Sequence, residues 1–171
     1  MVGALARINL AKDKLHPKTK ESASEVLNLF PSTDIFYNNL AQAIETLHCV
    51  DESIDILSNN KFTPEPLIKA EAKSGAVGIG VIEAPRGTLY HKIIIGEDGK
   101  VSGGEVIVPT GQNQINIERD VAVLVQNLLD QSNSAEAQLD KDKIVFEIEK
   151  LIRAYDPCMS CAAHFLKVEW L

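Results

Sequence analysis

A change of period near residue 77 constrains this chain more than any other feature. Before it, apolar residues recur at helical spacing. From Val77 the pattern becomes Val-Gly-Ile-Gly-Val-Ile, with β-rich runs at Leu89 to Ile95 and Val101 to Val108. Gly96-Glu97-Asp98-Gly99 lies between those two runs and supplies residues that tolerate positive φ, a strong hairpin signal. The expected class is α+β, with helices around a small antiparallel sheet or β-hairpin.

The 171 residues suit one domain with a real core, and 45% are hydrophobic. The single unit divides into 1–75, mainly helical; 76–110, the hairpin region; and 111–171, helices ending in a cysteine motif. Lys18 to Phe30 reads as helix, ended by Pro31, with Ser32 or Thr33 capping the next. There Phe36, Leu40, Ile44 and Leu47 form one apolar stripe. A further helical piece spans Asp51 to Leu57, and Leu67 to Lys73 leaves room for a short helix. Glycines 78 and 80 suggest a strand in close contact with another backbone. Ile117, Val121, Leu124 and Leu128 form a later stripe, Asp130 to Leu139 a loop, and Ile144, Ile148 and Leu151 a last stripe that Pro157 stops.

The net charge is −7 and the basic residues do not cluster, which argues against a nucleic-acid partner. No apolar run approaches the roughly 18 residues of a membrane span. The N-terminus has no basic segment leading into a long apolar one, so no secretory signal is read and a cytoplasmic location is expected. Two of the three cysteines form a CxxC, which points to metal or redox chemistry in a reducing compartment.

That pair lies in Asp156-Pro157-Cys158-Met159-Ser160-Cys161-Ala162-Ala163-His164. Thiolates spaced this way select zinc, nickel or iron, but two do not close a site. Alone, the motif leaves open half of a structural zinc site, a thioredoxin-like redox pair, and a shared metal centre. Cys49 stands by itself in a helical stripe. A second segment, Glu83-Ala84-Pro85-Arg86-Gly87-Thr88-Leu89-Tyr90-His91, holds a guanidinium on a rigid turn. A third, Val108-Pro109-Thr110-Gly111-Gln112-Asn113, follows the hairpin with a hydroxyl and backbone donors. Taken singly, each of the last two reads as an ordinary turn.

In this order and spacing, the three segments resemble the C-terminal part of the large subunit of nickel-iron hydrogenases. The opening Val-Gly-Ala-Leu-Ala-Arg-Ile-Asn-Leu also resembles a segment from the middle of such subunits. The family's Arg-x-Cys-Gly-x-Cys motif, which supplies the other two thiolates, is absent, so the chain is expected to be a split subunit, a fragment or a remnant. The resemblance implies reversible oxidation of hydrogen to protons and electrons at a nickel ion bridged to an iron carrying carbon monoxide and cyanide.

On that resemblance Cys158 is a terminal nickel ligand and first proton acceptor, and Cys161 a bridging ligand. Arg86 lies over the metals, steadied by Asp156. Ala84, Pro85, Leu89 and Val108 wall the carbon monoxide, while Thr110, after Pro109, donates to a cyanide. His164 helps bind a magnesium or iron ion. The implied partners are a chain carrying the N-terminal half of the large subunit, an iron-sulfur small subunit, and a maturation endopeptidase acting on the extension that follows His164. The chain is then expected to expose apolar surface that the other half covers. The alternatives are a metal-free assembly or interaction subunit derived from a hydrogenase, an inactive fragment, and a stand-alone zinc module. His91 is expected to pack, and His16 and His48 to be surface or helix residues.

Overall fold

The computed structural model describes residues 1–69, 71, 73–132, 140–157 and 167–170. Its order is α1 (Ala4–Ala11), a 3-10 turn (Lys12–Lys14), α2 (Pro17–Ser22), α3 (Ser24–Leu27), α4 (Tyr37–Asn59), β1 (Val77–Ala84), β2 (Gly87–Ile95), β3 (Val101–Ile107), α5 (Pro109–Ser132) and α6 (Lys141–Ala154). The class is α+β, as the change of period predicts.

The core lies among the helices. Helix α1 packs on α4, α2 on α4, and α5 on α6, with α6 also reaching α4. Ala4, Leu5 and Ile8 recur at one-turn spacing and meet Ala41 and Ile44 in one buried cluster. Ile144, Ile148, Leu151 and Ile152 supply the face of α6, and Ile117 that of α5. The expected stripes of α5 and α6 are therefore the buried ones, with Val121, Leu124 and Leu128 packed at the cluster's edge.

The sheet is an antiparallel meander in the order β1-β2-β3. Val77 pairs with Ile94 and Ala84 with Gly87, which leaves Pro85 and Arg86 as the tip of the first hairpin. The second hairpin turns where the glycine signal placed it: Gly96 N donates to Lys100 O at 2.8 Å, and Gly99 takes φ 77°. Both faces of β1 stand open, with Ile79 70% and Ile82 63% exposed. This is the uncovered apolar surface that the sequence led us to expect.

Several local expectations are corrected. Helix 18–30 is interrupted at Ala23, between Ser22 and Ser24, both weak helix formers. Neither Ser32 nor Thr33 caps α4. Asp34 instead accepts from Phe36 N at 2.9 Å, and the helix starts at Tyr37. Phe36 thus precedes the helix and is exposed, as is Leu47; the buried ridge is Asn38, Ala41 and Ile44. Residues 51–57 continue α4 instead of forming a separate piece, held by Thr19 Oγ1 to Asp51 at 2.6 Å and His16 Nε2 to Asp55 at 3.0 Å. His16 is accordingly buried, not a surface residue.

No described residue between 61 and 73 is helical. A Cβ at Gly78 or Gly80 would meet nothing within 4 Å, so these glycines do not serve close backbone contact. His91 is exposed on β2, not packed. Gly111-Gln112-Asn113 lies in the first turns of α5, with Pro109 at its start, where a missing N–H costs nothing.

Candidate functional site

The hairpin tip Pro85-Arg86 meets the segment leaving α6. Arg86 Nε donates to the backbone carbonyl of Asp156 at 2.9 Å, and its guanidinium lies 3.3 Å from the Asp156 carboxylate. The pairing foreseen between these two residues is present. Asp156 adopts φ 49°, a left-handed conformation that aspartate tolerates better than most residues. Its Oδ2 also accepts from Gln42 Nε2 at 2.7 Å, which ties the turn after α6 to α4.

The tip is seated from the other side by the N-terminal segment. Gly87 has φ 131°, and a Cβ there would stand 2.6 Å from Val2 Cγ2 and 3.1 Å from Gly3 N. Gly3 in turn faces the Arg86 carbonyl, 3.1 Å from the position of a Cβ. Two buried asparagines complete the frame. Asn113 accepts from Val2 N at 2.8 Å and donates to Val2 O at 2.9 Å; Asn38 accepts from Leu5 N at 3.1 Å and donates to Ala154 O at 3.0 Å. Each amide satisfies backbone groups that lie outside regular ladders.

Arg7 of α1 reaches the same tip. It forms a bidentate pair with Glu45 at 2.7 and 2.6 Å and a second ion pair with Glu83 at 2.7 Å. It also donates to the carbonyls of Ala84 and Pro85 at 3.0 and 2.9 Å. The pair with Glu45, ahead of the contacts with Glu83, pushes the guanidinium pKa further up. Glu83 is held below the usual carboxylate range by the Thr88 hydroxyl first, then by Arg7. Gln112 of α5 closes the far side, donating to Thr88 O at 2.6 Å.

A concave space of about 740 Å³ opens beside the tip, and Ala84, Pro85 and Asp156 are in its lining with Arg7, Gln42 and Glu45. Leu89, Val108, Pro109 and Thr110 are outside that lining. Pro109 is buried, Leu89 and Thr110 are half-buried, and Val108 is exposed. Leu89 and Val108 each adjoin the Tyr90–Ile107 pair of the sheet. Cys158, Cys161 and His164 lie outside the described residues.

The motifs led to Arg86 and Asp156 but not to Arg7, Gln42, Glu45, Asn38 or Asn113 as the frame that holds them. One signal was available: Arg7 is the only charged side chain in the first eleven residues, inside a helix whose one other polar side chain is Asn9. Such a charge needs a partner.

A sequence model described as nickel-dependent hydrogenase matches residues 1–164. The alpha chain of sulfhydrogenase 1 from Pyrococcus furiosus is 33% identical over 170 residues, covering 98% of this chain and 37% of that protein. An F420-non-reducing hydrogenase polypeptide of Methanothermobacter thermautotrophicus is 35% identical over 171 residues, covering 95% of this chain and 34% of its own length. Among solved structures, an NAD+-reducing [NiFe]-hydrogenase in the H2-reduced state superposes with a TM-score of 0.64 at 26% identity, over 95% of this chain and 35% of that one. The chain spans little more than a third of the length of these relatives. By this match across nearly its whole length, the chain belongs to the nickel-dependent hydrogenase family.

Proposed function

We propose that this chain forms part of the catalytic subunit of a nickel-iron hydrogenase, which oxidises hydrogen reversibly to protons and electrons. The observation that carries the reading is the Arg86–Asp156 contact. It joins two of the family-like segments, seventy positions apart in sequence, two residues before the first cysteine of the CxxC.

Cys158 and Cys161 would supply two of four thiolate ligands, and a second polypeptide the other two. The chemistry of the donor set fits: paired thiolates suit nickel and iron, and a fixed cation such as Arg86 would balance anionic ligands. When bound, the nickel-iron centre with its carbon monoxide and cyanide supplies the heterolytic splitting of hydrogen. Arg86, held by Asp156, would contribute a fixed positive charge to the centre. Ala84, Pro85, Leu89 and Val108 give apolar surface, and Pro109 and Thr110 start α5 with a hydroxyl for an anionic ligand. Cys158 would take the first proton at its sulfur. His164 would hold a magnesium or iron ion.

An iron-sulfur subunit would carry the electrons, and a maturation endopeptidase would act after His164. The exposed sheet is the surface on which the complementary chain would dock, with residues 1–171 acting as one unit. Among the described residues no helix is long and apolar enough to cross a membrane. We place the complex in the cytoplasm.

The test is nickel and iron content of the complex isolated through this chain from its native host. About one nickel with iron in excess is the expected result. A complex without nickel would end the catalytic reading and favour a metal-free assembly role.

A further inference from the structure

We propose that Arg7 is a positioning residue for Arg86, acting through the backbone of the hairpin tip; its consequence for turnover rests on the hydrogenase function proposed above. An arginine side chain has five N–H donors in a planar fork. Arg7 spends all five: Nε and one Nη2 hydrogen on Glu45, one Nη1 hydrogen on Glu83, and the remaining two on the carbonyls of Ala84 and Pro85. Those carbonyls belong to the two residues immediately before Arg86.

The sheet alone does not set the direction of the tip. The last ladder pair is Ala84–Gly87, and the Pro85 carbonyl lies beyond it. Pro85 has no N–H to offer. Besides the contact of Arg86 with Asp156 itself, the two tip residues are oriented by the Arg7 fork on one side and by the Val2 side chain and Gly3 backbone against Gly87 on the other.

The fork is itself anchored. Glu45 holds Arg7 from α4, and one turn earlier Gln42 of the same helix holds Asp156 at 2.7 Å. Helix α4 thus locates both the tip that bears Arg86 and the carboxylate that Arg86 faces. A lysine at position 7 could keep the ion pair with Glu45. Its single ammonium could not also span the two carbonyls and Glu83. The arrangement therefore requires the fork, not merely a positive charge.

The test follows the Arg86 Nε–H resonance by NMR in the full chain, comparing the parent with Arg7→Gln and Arg7→Lys. In the parent this proton should exchange slowly, because it donates to Asp156 O. In both variants its exchange should speed up about tenfold or more, while the amides of α4 and α6 keep their protection. Unchanged Arg86 exchange would overturn the proposal, because the tip would then hold itself. Loss of α4 and α6 protection in step with it would also overturn it, because Arg7 would then merely support the fold. Arg7→Lys decides the question if Arg7→Gln fails to fold.

In the nickel-containing complex, Arg7→Lys should keep nickel and lower turnover about tenfold. A parent complex without nickel would end the hydrogenase reading and leave the exchange result to decide the role of Arg7.

Discussion

Arg86 and Asp156 meet through two kinds of contact: a backbone bond at 2.9 Å from Nε to the Asp156 carbonyl, and a charged contact at 3.3 Å between the side chains. The first survives substitution of the side chain and the second does not. Asp156→Asn is the clean test, because asparagine also accepts the left-handed φ of 49° found there. In the metal-loaded complex this variant should retain nickel but lose turnover by about 10- to 100-fold, as a loosened guanidinium samples unproductive positions. Hydrogen uptake measured beside metal content checks it, and near-parental turnover would remove the carboxylate from the mechanism.

Glycines of the first hairpin should respond oppositely to alanine. At Gly87 both the φ of 131° and the 2.6 Å approach to Val2 oppose a side chain. Gly87→Ala should therefore cost about 2 kcal/mol or more. At Gly80 a Cβ meets open space, so Gly80→Ala should be neutral or gain up to about 1 kcal/mol by restricting the unfolded chain. Urea midpoints of the two variants against the parent decide, and equal losses would contradict the hairpin geometry.

The thiols carry the sharpest dependence of the proposed function. Removing one ligand of a shared centre leaves too few thiolates to hold nickel. Cys158→Ala or Cys161→Ala should yield an assembled complex without nickel, while Cys49→Ala, at an exposed position on α4, should leave the nickel content unchanged. Nickel retained in either of the first two would sink the assignment of ligands.

The sequence was most legible where a local rule acts alone. Gly96 to Gly99 turned the second hairpin because glycines there permit what other residues resist, and Ile144, Ile148 and Leu151 faced inward because a helix has one buried side. It was least legible where a polar residue does the work of the core. Asn38 is buried because it links Leu5 N to Ala154 O, partners 33 and 116 positions away, which no periodicity reveals. The stripe held at Leu40 and Ile44 and failed at its ends, Phe36 and Leu47, because the buried ridge of α4 runs through Asn38, Ala41 and Ile44. At the site, the motifs pointed to Arg86 and Asp156. The fork of Arg7 became visible only when α1 and the hairpin tip were brought together.

The apolar sheet should behave as a docking surface. Val77, Ile79 and Val81 alternate onto one face beside Tyr90 and Ile94, and Ile79 and Val81 are more than half exposed. Replacing Ile79 and Val81 with lysine should make the isolated chain less prone to self-association without reducing its stability by more than about 0.5 kcal/mol. The same variant should fail to recover partner chains from the native host. Full recovery of the partners would move the interface elsewhere.

Tyr155 gives the chain a dependence on alkaline pH whose sign is fixed. Its hydroxyl donates to Asp120 Oδ2 at 2.5 Å and joins the end of α6 to α5. Burial first, and the Asp120 bond second, push its pKa well above the ordinary value of 10. Below about pH 10 both folded and unfolded chains carry the phenol proton, and the contribution is complete. As pH rises further the unfolded chain releases the proton while the folded chain keeps it, so stability falls. Tyr155→Phe should cost about 1–2 kcal/mol at neutral pH. It should also flatten the decline above about pH 10, because the group responsible is gone. Urea unfolding of both proteins across that range measures the difference, and a parallel decline in the variant would assign the alkaline limb to other groups.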